Sequence, residues 1–236
     1  MVTTLFKILQ PELDLVRQRL QEETSIQGRT VPGLIWPVLN HLDQNLLPAI
    51  VLFSAHSQGY YGPRALSLAA VFQFIFLASF IHNNIKQEVP RQTLVGDYFY
   101  TRFFDLLCRD GNLEFLAPLS RLICRIHLDA ARLQEKTGES TVTNLVNPFP
   151  ERLRTREYLA AAAASLGSRL GPTAPGELRA WEETGLLLGK LWDGQAVAAK
   201  SCQVVEKMAA GRTRDFLSEL VLELDGDLPV KRVMAL

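Results

Sequence analysis

The chain has 236 residues, with 25 Lys and Arg against 25 Asp and Glu, and its 47% hydrophobic content can fill a sizeable core. A formal net charge of zero excludes any general attraction to nucleic acid or to an anionic membrane, so a charged partner must be met by a local patch. Three scattered cysteines, Cys108, Cys124 and Cys202, form no Cys-x-x-Cys pair, which argues against a disulfide framework or a zinc site.

The first predicted element is an amphipathic helix over Pro11–Glu23, with Leu13, Val16 and Leu20 on one stripe. Lys7, Glu12 and Asp14 interrupt the apolar residues too early for a secretory signal, and a cytoplasmic protein is expected. Thr24 to Val31 reads as a loop around Gly28. A second helix follows over about Leu34 to Ala55, entered or bent at Pro37 and Pro48. Ser57 to Pro63 is a turn.

Ala65 to Ile81 carries no charge over 17 residues. At about 1.5 Å per residue that length only just approaches the ~30 Å of a bilayer core. Gln73 in its middle, Ser67 and Ser79, and the lack of a second such segment favour a buried central helix over a membrane span. Beyond Pro90, Thr93 to Cys108 is apolar and aromatic around much of its circumference, so it must be buried on several faces, centrally or in an interface.

Leu113 to Leu133 repeats Leu, Ile and Ala at helical intervals, and Gln134 to Val146 reads as a polar loop. Arg154 to Leu170 contains the run Ala160 to Ala164, whose small side chains favour helix and let a neighbouring backbone come close. After Gly171 to Gly176 a long helix is predicted over about Glu177 to Ala210, and Gly211 precedes a last one to about Leu224. Strand alternation with hairpin turns is absent. The expected fold is all-α, about eight helices forming a single domain over residues 1–236, with no internal repeat.

Several of these segments resemble, in order, those of the trans-prenyl diphosphate synthases. Thr93-Leu94-Val95-Gly96-Asp97-Tyr98-Phe99 is similar to that family's Leu-Ala-Gly-Asp-Tyr-Leu helix, and Pro48-Ala49-Ile50-Val51-Leu52 to its Arg-Pro-x-Leu-x-Leu helix. Gly62 to His82 looks like the helix that ends in His-Asp-Asp. Leu159 to Gly167 and Gly185 to Trp192 resemble the helix after the Lys-Thr pair and the Gly-x-x-Leu-Gly-x-x-Phe-Gln helix. The resemblance runs over roughly residues 11 to 200 and implies a helical bundle of the isoprenoid synthase type, somewhat truncated.

The family's chemistry does not follow with it. Two Asp-rich motifs there hold magnesium, which needs hard anionic oxygen ligands. Here the first motif reads with Asn83, Asn84 and Gln87 at the aspartate positions, and the register of the second places Ala196, Val197 and Lys200 there. The basic Gly-Lys-Arg-x-x-Arg-Pro segment appears as Asp43 to Pro48 without a cation, and the Lys-Thr pair falls at Thr155 and Arg156. Of the Arg-rich loop before the Gly-Asp helix, shorter here than in the family, Pro90-Arg91 remains.

Each remaining residue has a plainer reading. Asn83, Asn84 and Gln87 suit a helix end better than a ligand cluster. His82, with no paired carboxylate or nucleophile evident in sequence, reads as structural. Arg152, Arg154 and Arg156 read as a solvated helix face. Asp97 suits helix packing, and Gly96, Asp97, Tyr98, Phe99, Arg102 and Phe103 are candidates for a subunit interface. Ala78 and Ser79 stand where small residues in active relatives leave room for a long product.

The resemblance therefore implies a non-catalytic small subunit of a heteromeric long-chain prenyl diphosphate synthase in quinone side-chain biosynthesis, inactive as an enzyme on its own. No cofactor is expected on this chain, and the catalytic partner would hold the magnesium. In isolation it could pair with itself, no nucleic acid or transmembrane segment is expected, and any membrane contact would be peripheral, through the product. The rival reading is a homodimeric protein that binds an isoprenoid or other apolar ligand. An altered, metal-free enzyme finds no acid, base or nucleophile set to support it.

Overall fold

The computed structural model describes residues 4–26, 29–30, 37–83, 89–139 and 153–195, with 214–215, 217–218 and 220–221. Among them lie α1 (Thr4–Ile8), α2 (Gln10–Glu23), α3 (His41–Ser57), α4 (Pro63–Asn83), α5 (Val89–Arg109), α6 (Leu116–Glu139), α7 (Thr155–Ser168) and α8 (Pro175–Trp192). The fold is all-α, with a minimal antiparallel pairing of β1 (Ser25–Ile26) and β2 (Arg29–Thr30) in the segment expected to be a plain loop.

The bundle is built around α4, which touches α2, α3, α5, α6 and α7. Leu68, Phe72, Phe74, Ile75 and Leu77 are fully enclosed, as a helix apolar on every face requires. By length and composition α4 could cross a membrane, yet 78% of its apolar window is buried inside the fold. Its neighbours repeat the logic with one apolar stripe each: Leu13, Val16 and Leu20 of α2, and Leu119, Leu122 and Ile126 of α6, face inward.

Backbone proximity joins α7 to α8. A Cβ on Gly185 would strike the Ala160 carbonyl, and one on Gly189 would meet the Glu157 Cα, so these glycines and the Ala160–Ala164 run let the two helices touch without a side-chain layer between them. Gly167 makes the same kind of approach to Ser54 and Val51 of α3. The opposite flank is closed by charge. Glu23, at the end of α2 and 9% exposed, accepts from Arg19 at 3.0 Å and from Arg109, while its carbonyl accepts from the Tyr98 hydroxyl at 3.2 Å and from Arg102 at 3.4 Å.

Several expected boundaries move. α1 was not anticipated from sequence, and α3 begins at His41, where Asn40 caps it by accepting from the Asp43 N–H at 2.8 Å. α6 continues to Glu139, through the first six residues of the expected loop. The helix expected to reach Ala210 ends at Trp192, because Gly194 adopts φ 76° and turns the chain.

Candidate functional site

The positions that resemble the family's substrate-binding segments converge where α3, α7 and α8 meet. Asp43, in the first turn of α3, is buried and points at α7, with its carbonyl fixed by the Gln73 amide at 2.9 Å. Arg156 in the first turn of α7 donates to Asp43 at 2.8 Å and to Asp193 at 3.2 Å, and its guanidinium lies 4.9 Å from the Trp192 ring centroid. Trp192 donates its indole N–H to the same Asp43 oxygen at 2.9 Å. Alongside, Glu157 accepts from Arg154 at 3.0 Å and from Gln195 at 3.0 Å.

The chemical meaning follows from the charges. Arg156 stands next to Thr155, the position where the resemblance places the lysine that would meet a diphosphate, but two carboxylates of the chain itself already hold it. Two unit charges at such a separation attract by about 4 kcal/mol at an effective dielectric near 20, which an incoming anion would have to displace. Tilted aromatic rings occupy the adjoining interior: Phe76 lies 5.2 Å from Trp192 and 5.9 Å from Phe80. Arg156 thus belongs to an interior ion cluster and not to the solvated helix face expected from sequence, whereas Arg152 lies outside the described residues.

At the end of α4 a second cluster forms. The Tyr100 hydroxyl bonds Ser79 at 3.1 Å and His127 Nε2 at 2.8 Å, and His82 stacks on the Tyr100 ring while pairing with Asp97 at 3.3 Å. Burial pushes the His127 imidazole below its ordinary value, helped by the charge of His82, and burial lifts the Tyr100 phenol. Both are therefore neutral near neutral pH, and the group pins α4, α5 and α6 together by hydrogen bonds. His82 is not the isolated histidine it looks like in sequence. Nothing in the chain order linked it to His127, 45 positions away.

Asn83 closes α4 half-buried, while Asn84, Gln87, Ala196, Val197 and Lys200 lie outside the described residues. Neutral amides, two aliphatic side chains and an ammonium do not fit magnesium, which requires anionic oxygens. Among the described residues no group of three His, Cys, Asp or Glu is placed to hold a metal ion.

The α5 candidates for a subunit interface are mostly engaged within the chain. Phe99 and Phe103 are enclosed in the core, Tyr98 and Arg102 bond the end of α2, and Gly96 lies under His82, whose ring would be 2.5 Å from an added Cβ. Only Asp97 of the six faces outward, so the exposed face of α5 is carried instead by Leu94, Thr101, Phe104 and Cys108. Ala78 and Ser79 are fully enclosed, and Ser79 is bonded to Tyr100, so a tunnel past them would require displaced neighbours.

No family model matches the chain. Among curated proteins it is 23% identical over 199 residues to the octaprenyl diphosphate synthase of Escherichia coli, an alignment covering 74% of this chain and 58% of that protein. Among solved structures, a decaprenyl diphosphate synthase from Rhodobacter capsulatus matches with TM-score 0.73 and 18% identity, over 94% of this chain and 97% of that one. The geranyl diphosphate synthase small subunit from Antirrhinum majus matches with TM-score 0.59 and 15% identity, over 93% and 98%.

Proposed function

From its kinship with the trans-prenyl diphosphate synthases, we propose that this chain is the non-catalytic, regulatory small subunit of a heteromeric long-chain prenyl diphosphate synthase serving quinone side-chain biosynthesis in the cytoplasm. The observation that carries the reading is the Asp43–Arg156–Asp193 cluster: the cation best placed to hold a diphosphate is neutralised from within, beside motif positions that lack every magnesium-binding carboxylate. A partner chain supplies both Asp-rich motifs and the magnesium. This chain supports elongation and product length through contact with the partner, using the outward face of α5 around Leu94 and Phe104. The likeness to a protein described as a small subunit supports the same reading.

A cavity of about 570 Å³ between α2, α3 and α4, with Leu13, Val16, Leu20, Leu39 and Pro48 in its wall, favours the second reading, a homodimeric protein that binds an isoprenoid or other apolar ligand. Prenyltransferase assays with magnesium, an allylic diphosphate and labelled isopentenyl diphosphate separate the two. The expected result is no product from this chain alone, and product from a co-purified complex with a prenyl synthase of the same genome that keeps both Asp motifs, of a length that changes when this chain is omitted. Turnover by the isolated chain overturns the non-catalytic reading, and a partner unaffected by it leaves the binding protein.

A further inference from the structure

While α7 turns Arg156 inward, Tyr158 and the helix's N-cap residue Arg154 line an open groove of about 680 Å³ between α6, α7 and α8. Arg121 and Arg125 of α6, Arg169 after α7 and Arg179 of α8 wall this groove, and Arg132 extends the line along α6. Arg154 is matched by Glu157 and Arg179 by Glu183. Among the described residues, Arg121, Arg125, Arg132 and Arg169 enter no ion pair. Against these cations the lining offers Asp129, Glu182 and Glu183, and Asp129 already accepts from the Tyr158 hydroxyl at 2.6 Å.

The pattern along α6 is linear. Arg121, Arg125, Leu128 and Arg132 stand at i, i+4, i+7 and i+11, one stripe about 16 Å long, with Leu128 56% exposed between the guanidinium groups. Across from it, Ala161, Ala162 and Ser165 give the groove a floor of small side chains that admits a close backbone. Tyr158 is fixed beneath them, with Arg125 3.9 Å and Arg154 5.0 Å from its ring centroid.

We propose that this groove docks an acidic amphipathic helix of a partner protein, its carboxylates meeting Arg121, Arg125 and Arg132 and an apolar side chain meeting Leu128. Cations spaced over three helical turns do not converge on a single phosphate. A nucleic-acid strand following the groove would run against Glu182 and Glu183 and find Tyr158, the one aromatic among the described lining residues, covered by guanidinium groups. A helix with acidic and apolar residues on one face satisfies both the charge and the exposed leucine. The inference stands whether or not the chain is a prenyl synthase subunit.

Fluorescence anisotropy on the full chain tests it with a labelled synthetic peptide of three heptads, bearing Glu and Leu on one face. Comparison probes are the same peptide with Gln for Glu, a scrambled peptide of identical composition, and a double-stranded oligonucleotide. Saturable binding of the Glu peptide is expected, about tenfold weaker with Gln in place of Glu and about tenfold weaker for the Arg121→Glu/Arg125→Glu double variant. High salt weakens it as the Debye length falls below ~10 Å, and the Arg121→Lys/Arg125→Lys variant retains most of it. Circular dichroism melting shows that both variants fold. Equal binding of the scrambled peptide, tighter binding of the oligonucleotide, no saturable binding, or an undiminished Glu/Glu variant overturns the proposal.

Discussion

Arg156 in the first turn of α7 and Arg154 at its N-cap stand two residues apart, and their surroundings differ in what governs a cation's contribution to a fold. Around Arg156 every charge has a partner: Asp43 and Asp193 hold the guanidinium, Trp192 fills the space beside it and also binds Asp43. Around Arg154 and Tyr158 lies an open groove in which, among the described residues, Arg121, Arg125 and Arg169 enter no ion pair. The first region stores stability in a closed arrangement, and the second leaves attraction available to something outside the chain. The two sides of α7 thus differ in how far their cations are committed within the chain.

Removing a partner from the closed region should have the largest effect. Asp43→Ala strands the Trp192 indole N–H and half of Arg156's bonding, and is expected to cost about 3 kcal/mol, the range for breaking a buried ion pair from one side. Urea unfolding checks this, and a midpoint unchanged from wild type would erase the distinction between the two faces. Tyr158→Phe, at the border of the groove, loses one hydrogen bond to Asp129 and keeps the packed ring, so a loss of about 1 kcal/mol is expected in the same titration. Smallest is Arg121→Glu, where no intramolecular ion pair is broken: stability should stay within about 0.5 kcal/mol, read as melting temperature by calorimetry.

The architecture was legible because its signal is periodic and local. The charge-free run from Ala65 to Ile81 demanded enclosure on all sides, and Gly185 and Gly189 stand four apart on the face that meets α7. Boundaries were less so, since α6 runs on through Gln134 to Glu139, a polar stretch whose sequence carries no apolar periodicity to announce a helix. The interior cluster was half legible: the lack of cations before Pro48 was plain in sequence, but the pairing of Asp43 with Arg156 spans 113 positions and depends on how three helices converge. The arginine groove was hidden for the same reason, and the triplet Arg152, Arg154 and Arg156 even misled, because helical geometry sends its last two members to opposite sides. At α5, composition announced burial on several faces without saying that Phe99 and Phe103 would find it inside their own chain.

The glycine contacts between α7 and α8 have a mechanical consequence. Packed side chains can slide past one another by changing rotamers, but a backbone resting on a backbone has no such layer to shear, so this contact resists sliding of α8 along α7. Any displacement of α7 against α3 would therefore carry α8 with it, and with it Trp192 beside the Asp43 cluster.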